Sequence, residues 1–235
     1  IPEIAELPIS VVPGIRTPAA AGPDGWFEAD VMRGEECETW GAYTTLRADG
    51  RIRPGQEAVF LWPGSHTKLV EVDAAGRITR SYTTLAGELL QAAAHQTLLA
   101  ASLPETLPED VDPDAAAAGA RAVARHGPGR AAFLVRIAAL TGSLDPRGRA
   151  SFWIGASVAA DGLALARHPI LSPGRTVWVG GRQPLRSLYA ADLAGRHPGP
   201  VVPLDDRLAE SASARGAWEI AVRRISFPAP TDPAH

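Results

Sequence analysis

Apolar and polar residues are grouped in blocks between residues 58 and 84, where the pattern is that of three strands. Residues 58–62 form an apolar run bounded by turn residues, which is typical of a strand buried on both faces. Residues 69–72 form a second apolar run, and residues 77–83 complete the pattern. The pattern predicts a hairpin whose first strand is buried and whose turn spans residues 63–68.

Helical spacing dominates the rest of the chain, with apolar residues such as Leu89, Leu90 and Ala93 recurring at intervals typical of a helix. The sequence predicts helices over residues 37–46, 87–103, 113–126, 131–140, 146–167, 184–193 and 211–224. Short strands are expected over residues 7–12, 176–179 and 200–203, and a loop over residues 16–25. This order predicts an α/β fold in which a mixed sheet is flanked by helices.

The turn of the predicted hairpin reads Pro63-Gly64-Ser65-His66-Thr67-Lys68. Glycine lets a ligand approach the backbone, amides and hydroxyls donate hydrogen bonds, and lysine supplies a positive charge, so the turn suits a phosphate group. A plain hairpin tip whose polar side chains face water explains the same residues. The turn is not a Walker A loop, because the Gly-x-x-x-x-Gly-Lys-Ser/Thr frame is missing and no helix follows it.

A pair of glycines, Gly180 and Gly181, follows the predicted strand at residues 176–179 and precedes a predicted helix. In such an arrangement a base or a phosphate can lie against the backbone. Close packing of the helix against the strand explains the two glycines at least as well.

The amino-acid composition limits the kinds of protein that this chain can be. The chain has 235 residues, 46% of them hydrophobic, which allows a sizeable core in one or two domains. A formal net charge of −3 argues against a nucleic-acid binder with a basic face. The single cysteine, Cys37, excludes an intramolecular disulfide and fits a reducing compartment. No apolar run approaches the roughly 18 residues of a membrane span. Because the sequence begins at Ile1, we expect an upstream part of the natural chain.

Three motifs follow one another with short gaps: Asp30-Val-Met-Arg-Gly-Glu-Glu36, Trp62-Pro-Gly-Ser-His-Thr-Lys68 and Thr84-Leu-Ala-Gly-Glu88. Together they strongly resemble the 2-dehydro-3-deoxygalactonokinases, which are sugar-acid kinases of the actin-like ATPase superfamily. The likeness covers most of the chain, since it continues through Phe133-Leu-Val-Arg136, Trp153-Ile-Gly-Ala156 and Val179-Gly-Gly181.

The resemblance implies a ribonuclease-H-like lobe and a cytoplasmic kinase that uses ATP and Mg²⁺ to convert 2-dehydro-3-deoxy-D-galactonate to its 6-phosphate. The implied partners are the sugar acid and ATP, with no nucleic acid and no membrane, and a homodimer is left open. By this comparison residues 1–28 are the remnant of an N-terminal lobe and a linker, residues 29–227 the C-terminal kinase lobe, and residues 228–235 a flexible tail.

The sequence departs from the family in its missing first hairpin, at Ser157, and at Cys37, which stands near a position that is usually threonine in the family. Family members begin with a lobe that carries an Asp-x-Gly-Thr/Ser hairpin, and this sequence contains no such hairpin. Ser157 stands where the family has a glutamate after Ile-Gly-Ala. The first departure leaves an alternative reading, a truncated kinase-derived domain that binds a sugar acid or a partner and transfers nothing.

The resemblance also assigns roles to the residues that would handle the sugar acid. Glu35, which follows Gly34, is the expected general base, with Glu36 and Asp30 as alternatives. Stabilisation of a helix N-terminus is an ordinary explanation of Glu35. Arg33 would pair with the carboxylate of the sugar acid, because a guanidinium group forms two parallel hydrogen bonds with a carboxylate.

A second set of residues would hold the nucleotide. Ser65, Thr67 and Lys68 are expected at the β- and γ-phosphates beside the backbone of Gly64. The remaining members of the set are expected along the nucleotide cleft and on its adenosine side: Gly87, Glu88, Gly180 and Gly181. His66 is interpreted as a hydrogen-bonded structural residue, and because the other histidines show no metal-ligand spacing, no protein metal ligands are predicted.

Overall fold

We describe residues 11–226 of a computed structural model, and the side chains of residues 11–223. The chain divides into two compact units. The larger unit is Glu57–Leu204, and the smaller unit combines the chain before Glu57 with the chain after Leu204. The strand predicted at residues 7–12 lies mostly outside the described residues, as does the tail from residue 227 onward.

The larger unit is built on a five-stranded mixed sheet. Its strands are β3 (Ala58–Trp62), β4 (Thr67–Val72), β5 (Ile78–Thr84), β6 (Val177–Val179) and β7 (Val201–Pro203), in the spatial order β5-β4-β3-β6-β7. β3, β4 and β5 pair antiparallel, whereas β3, β6 and β7 pair in parallel, with Phe60 opposite Trp178. The predicted hairpin and the predicted mixed sheet are both confirmed.

Burial on both faces explains why these segments form strands. All five residues of β3 and all six residues of β4 are buried. Val59 and Leu61 share one apolar cluster with Leu165 and Leu193, which come from the helices on that face. Phe60 and Trp62 point to the opposite face, where their rings stack with centroids 6.2 Å apart. Alternate residues of one apolar run thus fill two layers of core.

Ion pairs of the Glu71 carboxylate on β4 link three strands of this sheet. Its carboxylate accepts hydrogen bonds from Arg80 of β5 and from Arg175, which precedes β6. The Arg80 guanidinium, helped by Arg175, lowers the pKa of Glu71 to about 2 against the opposing effect of burial. Arg175 also pairs with Glu57 at 2.6 Å, so the entry into β6 is attached to both β3 and β4.

Five helices complete the larger unit: α2 (Ala86–Gln96), α3 (Pro113–His126), α4 (Pro128–Thr141), α5 (Pro146–Leu165) and α6 (Leu185–Ala194). Two of them begin at an aspartate followed by proline, a combination that satisfies and preorganises a first turn. Asp112 accepts from two backbone N–H groups of α3, and Asp145 accepts from the Gly148 N–H of α5 at 2.7 Å.

Close contact between backbones defines the crossing of α3 and α5. A methyl group at Gly119 would overlap the Phe152 carbonyl oxygen, and one at Gly155 would overlap the Ala116 carbonyl oxygen. Each helix therefore presents a glycine to the other. Trp153 of α5 extends this packing towards α2, because its indole N–H donates to the Leu90 carbonyl at 3.1 Å.

Within the described residues, the smaller unit contains a two-stranded antiparallel sheet, two α-helices and a short 3-10 helix, Gly25–Glu28. β1 (Ile15–Thr17) pairs with β2 (Asp30–Met32), and α1 (Glu35–Ala48) packs against α7 (Asp206–Ser226). Gly41 and Gly216 form the crossing, since a methyl group on either would overlap a carbonyl oxygen of the opposite helix. The helices are also joined by the Thr44 hydroxyl, which donates to Glu219 at 2.9 Å.

Several boundaries differ from the predictions. The hairpin turn was predicted over residues 63–68, but β4 already begins at Thr67, so Thr67 and Lys68 belong to the strand.

Three further differences have a local reason. The prediction of a loop over residues 16–25 was wrong at its start, where β1 lies. β1 has only three residues, which is too short to show the alternation of apolar and polar residues typical of a strand. α2 ends at Gln96 because Thr97 is extended and its hydroxyl accepts from the Leu99 N–H, which opens a short 3-10 helix, Leu98–Ala101. α7 begins five residues earlier than predicted, where Asp205 accepts from the Leu208 N–H at 2.8 Å.

Several large apolar side chains of the smaller unit face solvent. Trp26 is 66% exposed and Phe27 59%, and their rings meet edge to face with centroids 4.3 Å apart. Val11 and Val31 are also exposed. Within residues 11–226 no helix is long and apolar enough to cross a membrane.

Candidate functional site

Three segments that are far apart in sequence meet at one edge of the sheet. The turn at residues 63–66 follows β3, residues 85–88 follow β5, and Gly180 and Gly181 follow β6. β3 and β6 are parallel and end at the same edge, and the pairing of Thr67 with Thr84 shows that β5 ends there too. The fold therefore brings together segments that the sequence analysis singled out separately.

The first turn of α2 lies directly against the turn at residues 63–66. The Glu88 N–H donates to the Ser65 carbonyl at 2.9 Å, and the Glu88 carboxylate lies 2.8 Å from His66 Nε2. A methyl group at Gly87 would overlap the Gly64 carbonyl oxygen and come within 2.8 Å of Ser65 Cα. Gly87 is therefore required by packing against the turn, and the interpretation of His66 as a hydrogen-bonded residue is confirmed.

Gly180 and Gly181 contact the turn from the β6 side. A methyl group at Gly180 would overlap the indole ring of Trp62, and its N–H donates to the Leu61 carbonyl at 2.8 Å. Gly181 has a φ of 76°, which favours glycine, and a methyl group there would lie 2.5 Å from the Pro63 carbonyl oxygen. Both glycines are thus needed for the close approach of β6 to the turn.

Ser65 and Thr67 have different surroundings although both belong to the predicted phosphate turn. Ser65 is exposed, next to the half-buried Gly64, whereas Thr67 has no exposed surface. Thr67 Oγ1 lies 3.1 Å from the hydroxyl of Tyr189, which donates its proton to Asp161 at 2.7 Å. Tyr189 must therefore accept the Thr67 proton, and the Thr67 side chain orients the end of the turn.

This hydrogen-bonded chain was not predicted from the sequence. Burial, followed by the Asp161 carboxylate, raises the pKa of Tyr189 above its usual range. The phenol consequently stays protonated and keeps donating to Asp161. Tyr189 comes from α6 and Asp161 from α5, more than 90 residues after the turn in sequence, and the sequence carries no periodic signal that connects such positions.

Lys68 extends into the opposite face of the sheet from Thr67, as alternation along a strand requires. It is 3% exposed, and its ammonium group donates to the Thr83 hydroxyl of the neighbouring strand at 2.7 Å. The predicted contact between Lys68 and phosphate stays a prediction. The described geometry gives Lys68 a buried, hydrogen-bonded position beside the turn.

The turn thus offers the chemistry of an oxyanion site on its outer surface. The exposed Ser65 hydroxyl can donate a hydrogen bond, and the adjoining glycine leaves the backbone accessible. Contacts with α2 and with Gly180 and Gly181 hold the turn in place from two sides. A loop held in this way needs little rearrangement when an anionic group binds.

The residues expected to handle the sugar acid lie on the connection from β2 to α1 in the smaller unit. Gly34, with a φ of 112°, immediately precedes the helix. Glu35 accepts from the Arg33 N–H at 3.2 Å, and Glu36 accepts from the Gly34 N–H at 2.7 Å. Glu36 is 3% exposed, whereas the Arg33 side chain is exposed. Asp30 lies at the start of β2, opposite Thr17.

Glu38 is the carboxylate in this region that the sequence analysis missed. Burial, followed by repulsion from Glu35 and Glu36, raises the pKa of Glu38 to about 7. A carboxylate with such a pKa is suited to accept a proton near neutral pH. The signal in the sequence was three glutamates within four positions, because like charges at such spacing raise one another's pKa.

No group of three or more histidine, cysteine, aspartate or glutamate side chains within the described residues could hold a metal ion. Mg²⁺ in phosphoryl-transfer sites is usually bound by one or two carboxylates, water and the substrate phosphates rather than by a cage of protein ligands. The donor set is therefore compatible with Mg²⁺ that arrives with a nucleotide.

The mixed sheet with its order β5-β4-β3-β6-β7, flanked by helices and carrying a glycine-bearing turn at one edge, defines a lobe of the actin-like ATPase and sugar kinase class. Solved structures share this fold. A Sinorhizobium meliloti protein provisionally named 2-dehydro-3-deoxygalactonokinase matches with a TM-score of 0.66 and 23% identity, over 93% of this chain and 69% of that one. Component A of the Acidaminococcus fermentans (R)-2-hydroxyglutaryl-CoA dehydratase matches with a TM-score of 0.52 and 14% identity, over 83% of this chain and 70% of that one.

The chain belongs to the 2-keto-3-deoxy-galactonokinase family, whose sequence model matches residues 2–220. Among curated proteins, none matches this sequence. The family and the fold together identify a member of a phosphotransferase family of sugar-acid kinases, as the motifs in the sequence predict.

Proposed function

We propose that the protein is an ATP-dependent kinase that converts 2-dehydro-3-deoxy-D-galactonate to its 6-phosphate. The observation that carries the proposal is the convergence of two glycine-bearing segments, residues 85–88 and 180–181, on the turn at residues 63–66, in a chain that belongs to this kinase family. The acidic net charge of −3 and the free, buried Cys37 are in keeping with a cytoplasmic enzyme that acts on small molecules.

The turn is the proposed phosphate site of the larger unit. Ser65 would donate its hydroxyl hydrogen bond to a phosphate oxygen, and Gly64 would leave room for the approach. Lys68 would contribute its positive charge from the adjoining strand, and Thr67 would act by orienting the turn through Tyr189. Gly87, Glu88, Gly180 and Gly181 support the turn, and the family resemblance extends their role to the nucleotide itself. Mg²⁺, when bound with ATP, supplies charge neutralisation at the phosphates.

Phosphoryl transfer requires the C6 hydroxyl of the sugar acid to lose its proton as its oxygen forms a bond to the γ-phosphorus and the bond to the ADP oxygen breaks. Glu35 is the proposed base that accepts this proton. Its hydrogen bond with the Arg33 N–H orients the carboxylate at the helix start. Glu36, Asp30 and Glu38 are the competing carboxylates, and Glu38 is favoured among them by its raised pKa of about 7.

Arg33 is the proposed partner of the sugar-acid carboxylate. Its side chain is exposed and lies next to the helix start that carries Glu35. A guanidinium group binds a carboxylate through two parallel hydrogen bonds, which lysine cannot reproduce. We therefore expect Arg33→Lys to raise the KM for the sugar acid while leaving the KM for ATP unchanged.

The test is the reaction itself. The purified chain is incubated with ATP, MgCl₂ and 2-dehydro-3-deoxy-D-galactonate, and ADP release is followed together with the ³¹P NMR signal of a phosphate monoester. The gluconate epimer and D-galactonate serve as matched substrates. Formation of the 6-phosphate with preference for the galactonate form supports the proposal. Absence of sugar-dependent ADP release contradicts it, and binding of the sugar acid without transfer favours the non-catalytic alternative.

A further inference from the structure

A cavity of about 400 Å³ lies within the larger unit, between α2 and α5 and beside the start of α4. Its wall is almost entirely apolar, with Leu85, Leu89 and Ala93 on one side and Trp153, Ala160 and Ala164 on the other. The Trp153 indole N–H is already used by the Leu90 carbonyl, so Trp153 offers the cavity only its ring. A volume of this size is typical of sites for small organic ligands.

The cavity and the turn at residues 63–66 lie on opposite faces of α2. Gly87 and Glu88 contact the turn, whereas Leu85, Leu89 and Ala93 line the cavity. At 100° per residue, the centres of these two sets are about 150° apart around the helix. The cavity is thus separate from the proposed phosphate site.

Three polar side chains stand out in the apolar wall, those of Thr84, Ser157 and Asp161. The Asp161 carboxylate accepts from Tyr189 at 2.7 Å, and within the described residues no cation pairs with it. Burial raises the pKa of Asp161, whereas hydrogen bonds from Tyr189 and Thr84 oppose this effect and the nearby Asp192 adds to it. The Ser157 hydroxyl oxygen is buried and has no hydrogen-bond partner among the described residues. A largely buried carboxylate without a cation and a hydroxyl without a partner both lack an interaction that a ligand can supply.

We propose that this cavity is a second ligand site, for a small organic cation with an apolar body and a single ammonium group. The apolar body would fill the space between α2 and α5, and the ammonium group would donate to Asp161 and Ser157. An anion is excluded by the Asp161 charge, and no arginine, lysine or histidine lines the cavity to offset it. Neither ATP nor a sugar acid meets this description, so the proposed ligand differs from the substrates of the proposed reaction.

Three probes of nearly equal shape separate the contributions of the wall and the charge. 2-Phenylethylamine carries the ammonium group, 2-phenylethanol replaces it with a neutral hydroxyl, and 3-phenylpropionate replaces it with a carboxylate. Binding to the complete chain is measured by calorimetry and by ligand-observed NMR at pH 7.5. We expect the amine to bind at least about tenfold more tightly than the alcohol, and the carboxylate to show no binding.

Variants connect the binding to the cavity. Asp161→Asn should remove the preference for the amine, and Ala160→Leu should weaken the amine and the alcohol together by filling the space. Because the change of Asp161 to an amide could disturb the contact with Tyr189, Ala164→Arg provides a second test. Ala164 is exposed and lies one turn from Asp161, so an arginine there supplies an internal cation. It should abolish binding of the amine, whereas Ala164→Gln should not.

Equal affinity for the amine and the alcohol would overturn the proposal, because it would identify a merely apolar cavity. Failure of the amine to bind at about 10 mM would also overturn it, as would binding that Ala160→Leu and Ala164→Arg leave unchanged. None of these readings depends on ATP or on phosphoryl transfer.

Discussion

Three glutamates lie in the first turn of α1, and burial, followed by repulsion from the other two, raises the pKa of Glu38. Glu35 and Glu36 each accept a hydrogen bond from a backbone N–H at the helix start. Glu38 has neither of these contacts and is partly buried, and its pKa is raised to about 7. Burial and the two neighbouring carboxylates thus make Glu38 sensitive to pH near neutrality.

The pH dependence of stability provides a test of this arrangement. The folded state holds the Glu38 proton up to about pH 7, whereas the ordinary value for glutamate is 4.5. Between these two values the folded state binds more protons, so the free energy of unfolding falls as the pH rises through this window. Glu38→Gln cannot titrate, and its unfolding free energy relative to the natural chain should rise by at least about 1 kcal/mol from pH 4.5 to pH 7.

Urea unfolding at several pH values checks this expectation. Glu109→Gln, a change at an exposed loop position, is the matched control and should run parallel to the natural chain at every pH. Parallel curves for Glu38→Gln as well would mean that Glu38 titrates like an ordinary surface carboxylate.

The choice of base is decided by kinetics once sugar-dependent turnover is measured. Glu35→Gln keeps the size and one acceptor oxygen, so it should leave the KM values nearly unchanged while kcat falls by about 10²–10⁴, the usual contribution of a positioned base. Glu38→Gln is the matched change on the same helix, and it should lower kcat by less than about tenfold. If kcat falls strongly on replacement of Glu38, Glu36 or Asp30 instead, that residue is the general base. If kcat falls for none of the four replacements, positioning of the substrates and charge neutralisation account for the rate of phosphoryl transfer.

At the residue scale, the sequence was informative where backbone geometry limits the choice of residue. Gly87, Gly180 and Gly181 could be recognised from motifs, and packing against the turn explains all three. The surroundings of Thr67 and Lys68 could not, because alternation places their side chains on opposite faces of a sheet that is covered on both sides. The Asp161–Tyr189 hydrogen bond joins two helices through tertiary packing alone, so no local pattern predicts it.

Among the elements, the crossing of α3 and α5 depends on a reciprocal pair of glycines. Gly119 faces the backbone of α5 at Phe152, and Gly155 faces the backbone of α3 at Ala116. Carbonyl oxygens cannot rotate away as side chains do. Either glycine therefore resists enlargement, even though alanine is the better helix former.

Gly119→Ala should destabilise the larger unit by about 1–2 kcal/mol. Overpacking typically costs about 1–3 kcal/mol, and the gain in helix propensity of about 1 kcal/mol offsets only part of a backbone overlap. Gly129→Ala, in the first turn of α4, is the matched control, since a methyl group there meets nothing within 4 Å. It should raise stability by a few tenths to about 1 kcal/mol. Thermal unfolding followed by circular dichroism distinguishes the two, and equal effects would contradict a rigid crossing.

Element boundaries followed the sequence where capping residues or long apolar patterns were present. α3 and the strands β3 and β6 lie where predicted because Pro113 and the buried apolar runs identify them. β1 and β2 were missed because each is a three-residue strand with a partner more than ten residues away. The early start of α7 depends on Asp205, whose capping role becomes evident only from its hydrogen bond to Leu208.

For the whole molecule, the single cysteine is a built-in reporter of folding. Cys37 is 6% exposed, and burial, followed by Glu36 and Glu38, raises the pKa of its thiol. A buried thiol with a raised pKa reacts slowly, because the thiolate is the nucleophile. In the native protein at pH 8, labelling by a disulfide reagent should therefore be slow and should approach one thiol per chain only in denaturant.

Gly216→Ala provides a comparison, because a methyl group at Gly216 would overlap the Cys37 carbonyl oxygen. It should accelerate labelling in the absence of denaturant, whereas Gly129→Ala should not. Rapid labelling of the natural chain would show that the α1–α7 crossing opens without global unfolding.

The fold class of the molecule was predictable at two levels. The alternation of strands and helices indicates a mixed sheet flanked by helices, and the order of the motifs indicates the kinase family that the match to residues 2–220 then shows. The epimer of the sugar acid was beyond reach, because it depends on the placement of side chains around one carbon atom. The cavity between α2 and α5 could not be predicted either, because the spacing of residues along the sequence does not show that these two helices pack against each other.

The two outer strands of the sheet influence how the protein behaves at high concentration. An open edge of β-structure can recruit a foreign strand and start aggregation. β7 is only three residues long and ends in Pro203, which has no N–H to donate to an added strand. On the other side, the pairing of β4 with β5 is irregular between Glu71 and Val72, and Arg80 places its charge on that edge strand. A short edge strand that ends in proline and an edge strand that carries an arginine both oppose lateral growth of the sheet.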